Sequence, residues 1–119
     1  MSENPFELIK QQVRGFASER DWDQFHSPKN LAMALNVEAG ELLEHFQWLT
    51  QEESAAPDQA ALAEIADEIA DVQVYLIRLA DKLNIDIPKA VAVKMQKNAE
   101  KYPAEQARGK SQKYTAYQK

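Results

Sequence analysis

Between residues 62 and 83 the apolar side chains Leu62, Ile65, Ile69, Val72, Leu76, Leu79 and Leu83 recur at alternating steps of three and four. Only a helix gathers such a series on one stripe, since a strand would send alternate residues to opposite faces. A stripe six turns long must be covered by other helices of the chain or by another copy of it. The pattern therefore predicts a central helix in a bundle. The rest of the chain agrees: there are three glycines among 119 residues, and no alternating β-branched run occurs. Alanine, leucine, glutamate, glutamine and lysine, all good helix formers, are abundant.

Capping residues divide the chain into four predicted helices. The first begins at Pro5 behind Asn4 and runs through Phe6, Ile9, Val13 and Phe16 toward Arg20, with Gly15 weakening it slightly. The second starts at Ser27-Pro28, carries Leu31, Leu35, Leu42, Phe46 and Leu49, and is expected to end near Trp48 or Leu49. The polar, acidic stretch from Thr50 to Ala56 is read as a loop, and Pro57-Asp58 restarts the periodicity. Asn84 can end the third, heptad-bearing helix; Asp86 caps a fourth through Pro88, Val91 and Met95 that stops before Pro103. From Ala104 to Lys119 a polar, basic tail is expected. The fold class is all-α, one domain over residues 1–119, a four-helix-bundle-like protomer. So small a domain buries a modest fraction of its chain, so a homodimer or homotetramer is predicted.

The formal charge of -5 and the gathering of basic residues in the last third disfavour a nucleic-acid polymer as partner. A small anion remains possible if a metal supplies positive charge. The absence of cysteine rules out disulfides and thiolate metal sites, and fits a reducing compartment. No export signal and no apolar run of membrane-spanning length is found, so a cytoplasmic protein with no membrane partner is expected.

Two acidic ridges carry the chemistry. Glu38 lies seven residues after Leu31 and three after Leu35, within the apolar stripe, and Glu41 adjoins it. On the third helix Glu64, Glu68 and Asp71 form a ridge that leads to Tyr75. The Glu38/Glu41 pair lies about 16 Å before the end of its helix, and the Glu68/Asp71 pair about 17 Å after the start of the next. Antiparallel packing across a short loop brings them level. Four carboxylates on one half-buried spot repel and resist ionisation unless a cation is present. An all-oxygen donor set points to Mg²⁺, with Mn²⁺ as a substitute, and Mg²⁺ leaves positions open for phosphate oxygens and water. Any single glutamate at helical spacing is equally a solvated surface residue, which is how Asp67, Glu44, Glu52 and Glu53 are read. Glu64 is either an acid supporting the ligands or a surface residue.

Val37-Glu38-Ala39-Gly40-Glu41-Leu42 followed by Asp67-Glu68-Ile69-Ala70-Asp71-Val72 resembles the ExxE to ExxD signature of the MazG-like all-α nucleotide pyrophosphohydrolases. Glu19 through His26, Phe46-Gln47-Trp48, Lys94-Met95, Asn98 and Lys101-Tyr102-Pro103 are most similar to the dCTP pyrophosphatase branch, over about residues 5 to 117. The resemblance implies that Glu38, Glu41, Glu68 and Asp71 bind Mg²⁺ and serve catalysis, and that a deoxynucleoside triphosphate such as dCTP is cut between its α and β phosphates. One of the four, or a nearby acid, would orient the attacking water. It also implies that Trp22 and Trp48 wall or stack on the base, that Asn98 meets a base edge and that Lys94 neutralises phosphate. His26 would line the pocket, and Tyr75 would touch sugar or phosphate or cap the ridge. Both tryptophans also suit core or interface filling, and His45 is read as packing. The basic run from Arg108 to Lys113 is read as a solvated tail, with closure over the triphosphate as the alternative. One departure bears on specificity: animal members of the dCTP branch carry a histidine where this chain has Val13. An apolar residue there either broadens base selection or leaves the choice to Trp22, His26 and Asn98.

Two other readings share the helical frame. A di-iron carboxylate bundle needs Glu-x-x-His on two helices, and neither His26 nor His45 has a glutamate three residues earlier. A non-enzymatic helical interaction module would use the heptad seam as a dimer interface and be indifferent to divalent metal. That module does not require the two acid pairs to come level.

Overall fold

The computed structural model describes residues 4–110. The chain divides into two compact units, one ending at Ile85 and the other beginning at Asp86. All regular structure among the described residues is helical.

In the first unit α1 spans Pro5–Glu19, with Asn4 Oδ1 accepting from the Phe6 amide at 2.8 Å. Its C-terminus closes tightly: Trp22 N donates to Ala17 O and Asp21 N to Ser18 O, with Asp21 at φ 55°. This is the Schellman arrangement, made here by aspartate in the left-handed region that glycine usually fills. A single 3-10 turn, Asp23–Phe25, leads into α2 (Pro28–Glu44), whose cap Ser27 Oγ accepts from Asn30 N at 3.1 Å. The predicted starts of both helices are thus met.

The second helix ends at Glu44, four residues short of Trp48. Residues 45 to 49 form turns because Thr50 must be extended, at ψ 167°, to cap a further short helix. That helix, α3 (Gln51–Ser54), replaces the predicted loop. It is held by a reciprocal capping box in which Thr50 Oγ1 accepts from Glu53 N at 3.1 Å and Glu53 Oε1 accepts from Thr50 N at 2.9 Å.

The heptad becomes α4, Gln59–Lys82, capped by Asp58 on Ala61 N at 2.8 Å. At about 36 Å it is the hub of the unit, packing against both α1 and α2. Arg78, near its end, meets His26 just before α2, while Glu68, midway along it, meets Glu38 and Glu41 midway along α2. The two helices therefore run antiparallel.

The core comprises Ala17, Leu31, Ile65, Ile77 and Ala80. The heptad seam does not lie wholly within it. Ile65, Val72 and Leu79 are buried or half-buried, whereas Leu62, Ile69, Leu76 and Leu83 are exposed. One of the two lines of the seam faces the chain's own core; the other stands outside it.

The C-terminus of α4 repeats the closure of α1. Ile85 N donates to Ala80 O at 2.8 Å and Asn84 N to Asp81 O at 3.2 Å, with Asn84 at φ 55°. Asn84 does end this helix. Alanine tolerates that backbone conformation less well, so Asn84→Ala is expected to cost about 1 kcal/mol and to lower the melting temperature by roughly 3–6 °C. An unchanged transition would show that the closure is not held by this residue.

In the second unit α5 spans Ile87–Lys101, with Asp86 capping Lys89 N at 3.0 Å. After Pro103 comes α6, Ala104–Ala107, where the tail was expected to begin; residues 111–119 of that tail lie outside the described residues.

Candidate active site

The apolar positions flanking Glu38 turn its side chain inward, and the antiparallel register brings α4 to meet it. One carboxylate oxygen each from Glu38, Glu41 and Glu68 lies within 4.8 Å of the others. Glu38 Oε2 and Glu68 Oε2 are buried and have no hydrogen-bond partner. Burial, then the carboxyls of Glu41 and Glu68, then the charges of Glu41 and Asp71, push the Glu38 carboxyl from 4.5 to about 7. Such a cluster is costly unless a cation joins it, because unpaired buried oxygens forgo both water and partner. Three hard oxygen donors suit a divalent metal.

Asp71, one turn beyond Glu68, stands outside that trio and opens onto a cavity of about 400 Å³. Phe16 and Val13 of α1, Trp22 and His26 of the connecting segment, and Tyr75 and Arg78 of α4 line it. Trp22 meets Phe16 edge-on at 5.6 Å between ring centroids and His26 at 6.4 Å. The tight closure after α1 is what turns Trp22 back toward Phe16. The structure thus joins Trp22, His26 and Tyr75 in one cavity and puts Asp71 at its edge. Val13 lies in the same wall.

The remaining candidates lie elsewhere. Trp48, in the turns after α2, is 86% exposed and lines no part of this cavity. Glu64 is exposed, and His45 is half-buried, as its reading as packing expected. Lys94 and Asn98 belong to α5 in the second unit. The charge of Lys101, above all, with burial and the charge of Lys97, holds the Lys94 ammonium below its usual range. Three cations thus crowd one helix.

Arg78 was missed from the sequence. It is the one buried charged residue among the described residues, at 5% exposure. Its Nη2 donates to Asp23 Oδ1 at 2.7 Å, Nη1 lies 3.4 Å from Asp81 Oδ2, and Nε donates to His26 Nδ1 at 3.2 Å. Arg14 grips Asp81 with two donors, at 2.6 and 3.1 Å, and Lys82 shares Asp23. The network ties α1, the connecting turn and α4 behind the cavity wall. The available signal was an arginine interrupting the apolar run from Val74 to Ala80, a position that helical periodicity does not mark as polar.

A half-buried carboxylate cluster beside an aromatic cavity in a helical frame defines an all-α protein suited to a divalent metal and a flat, partly polar ligand. The family model described as "MazG-like family" matches residues 33–116, and the chain belongs to the MazG-like family. It is 46% identical over 118 residues to dCTP pyrophosphatase 1 of Homo sapiens, covering 95% of this chain and 68% of that protein. It is 43% identical over 116 residues to dCTP pyrophosphatase 1 of Bos taurus, covering 96% and 69%. The crystal structure of a pyrophosphatase from Archaeoglobus fulgidus superposes with a TM-score of 0.78 at 38% identity, covering 87% of this chain and 96% of that one.

Proposed function

We propose that this chain hydrolyses a deoxynucleoside triphosphate, dCTP or a related one, to the monophosphate and pyrophosphate, with Mg²⁺ held by Glu38, Glu41, Glu68 and Asp71. The observation that carries the reading is the pair of buried, unpartnered carboxylate oxygens on Glu38 and Glu68 beside a cavity walled by Trp22, His26 and Tyr75. The identity to dCTP pyrophosphatase 1 supports the substrate class.

When bound, Mg²⁺ supplies positive charge against the triphosphate oxygens and the departing pyrophosphate. The chain's own residues do the rest. The carboxylates fix where that charge sits, and without it they repel the substrate's phosphates. Phe16 and Trp22 give the base an apolar wall that excludes water, and Tyr75 and His26 give it polar neighbours. Asp71 lines the cavity and its charge reaches Glu38, so the reacting phosphate would be held beside it. Trp48, Lys94 and Asn98 have roles by family resemblance: a stacking surface, a phosphate counter-charge and an amide for a base edge.

Incubation with each deoxynucleoside triphosphate, with and without Mg²⁺, followed by chromatography, tests this. Monophosphate and pyrophosphate should form only with the metal. Release of diphosphate and phosphate would move the cut to the β-γ bond and defeat this reading, whereas no turnover by folded protein would favour the interaction module.

The assembly is a homodimer or homotetramer whose interface includes the outward line Leu62, Ile69, Leu76 and Leu83, an apolar row too long for a stable solvated surface. Ile69→Glu is expected to shift the protein to monomer mass by size exclusion with light scattering; an unchanged mass would place the interface elsewhere. No helix among the described residues is long and apolar enough to cross a membrane. The cytoplasm, where nucleotide pools reside, is the proposed location.

A further inference from the structure

Arg78 touches no carboxylate of the metal cluster, yet it is the most deeply buried charge described and lies in the wall of the cavity. Its hydrogen bond to His26 has a direction that chemistry fixes. A guanidinium only donates and does not lose its proton in proteins. His26 Nδ1, 3.2 Å from Arg78 Nε, must therefore present its lone pair. A neutral imidazole with a lone pair on Nδ1 carries its proton on Nε2. Burial first, then the charges of Arg78 and Lys82, push the His26 imidazole below its usual range against the opposing charge of Asp23, which favours the neutral ring. No protein partner is found for His26 Nε2 among the described residues.

We infer that Arg78 is a positioning residue: it locks His26 in the Nε2–H tautomer, so that the cavity offers a bound base one fixed hydrogen-bond donor and selects an acceptor edge. The matching chemistry is a carbonyl oxygen or an unprotonated ring nitrogen; an exocyclic amine presented to the same point is rejected. Were Arg78 absent, the imidazole would exchange between its two tautomers, and Nε2 would be a donor for only part of the time. The inference rests on the nucleotide-hydrolase reading for what occupies the cavity. The tautomer itself is a property of the free protein.

The chain has two histidines, so ¹⁵N-histidine labelling of the full chain gives two imidazole patterns in long-range ¹H–¹⁵N spectra, told apart by His45→Gln. At pH 7.5 His26 should show a single Nε2–H pattern without ligand. Arg78→Met, of similar length and still apolar in stem, should average the two nitrogens. It should also raise KM for the best triphosphate about tenfold, with kcat changed far less. An Nδ1–H or averaged pattern in the unaltered protein overturns the inference, and this spectrum needs no variant should Arg78→Met fail to fold. A folded Arg78→Met with an unchanged pattern or an unchanged KM overturns it as well. Failure of the unaltered protein to turn over any triphosphate would instead defeat the hydrolase reading, and the substrate-free spectrum keeps the two results separate.

Discussion

Glu68→Gln should lower turnover at saturating Mg²⁺ by about a hundred- to a thousandfold while leaving the helical circular-dichroism signal intact. Glutamine keeps the length and one acceptor oxygen but removes the charge that a divalent metal requires, and displaced transition-state charge stabilisation is commonly worth that much. The same change should stabilise the metal-free protein, because Glu68 Oε2 is buried without a partner next to Glu38 and Glu41. Opposite signs for activity and apo stability distinguish a ligand from a structural residue, whose loss would lower both. Turnover equal to the unaltered protein would remove Glu68 from the site.

The metal-free protein should be most stable in mildly acidic solution and lose stability as pH rises through about 7. Glu38 binds its proton more tightly in the fold than in the unfolded chain, so its contribution is complete below 4.5 and drains away through the folded value. Discounted for its partial exposure, the loss is on the order of 2 kcal/mol. The acid limb has the opposite origin. Arg14, gripping Asp81 with two donors, holds that carboxyl below its usual 3.8, so the stability it gives is present above that value and is lost as pH falls further. Saturating Mg²⁺ should erase the alkaline fall, since metal and proton compete for the same oxygens. Thermal melts from pH 4 to 9, with chelator and with Mg²⁺, check this. A flat apo profile across neutrality would mean that Glu38 is not held among other carboxylates.

The helix starts were legible because their signals are local: Asn4, Ser27, Asp58 and Asp86 each cap the amides just ahead of them. The capping box of Thr50 and Glu53 is equally local, but polarity alone reads that stretch as a loop. Antiparallel packing did bring Glu38, Glu41 and Glu68 together, although the rise estimate counted residues 45 to 49 as helix where α2 ends at Glu44. Rise per residue could not separate Asp71 from the trio, because that depends on side-chain direction about α4. Periodicity likewise marked the seam from Leu62 to Leu83 without saying which of its two lines this chain covers for itself. Arg78 was out of reach for a different reason: its partners His26 and Asp23 lie 52 and 55 positions away, and no local pattern links them.

The closure that ends α1 has a kinetic corollary. Trp22 is the residue whose amide completes that closure, and one short turn separates it from His26. The aromatic side of the cavity is therefore pinned to a helix end, and a ligand arriving there finds little chain left to order. Association of a nucleotide with this wall should run as a single concentration-dependent step, with no slow rearrangement following the encounter.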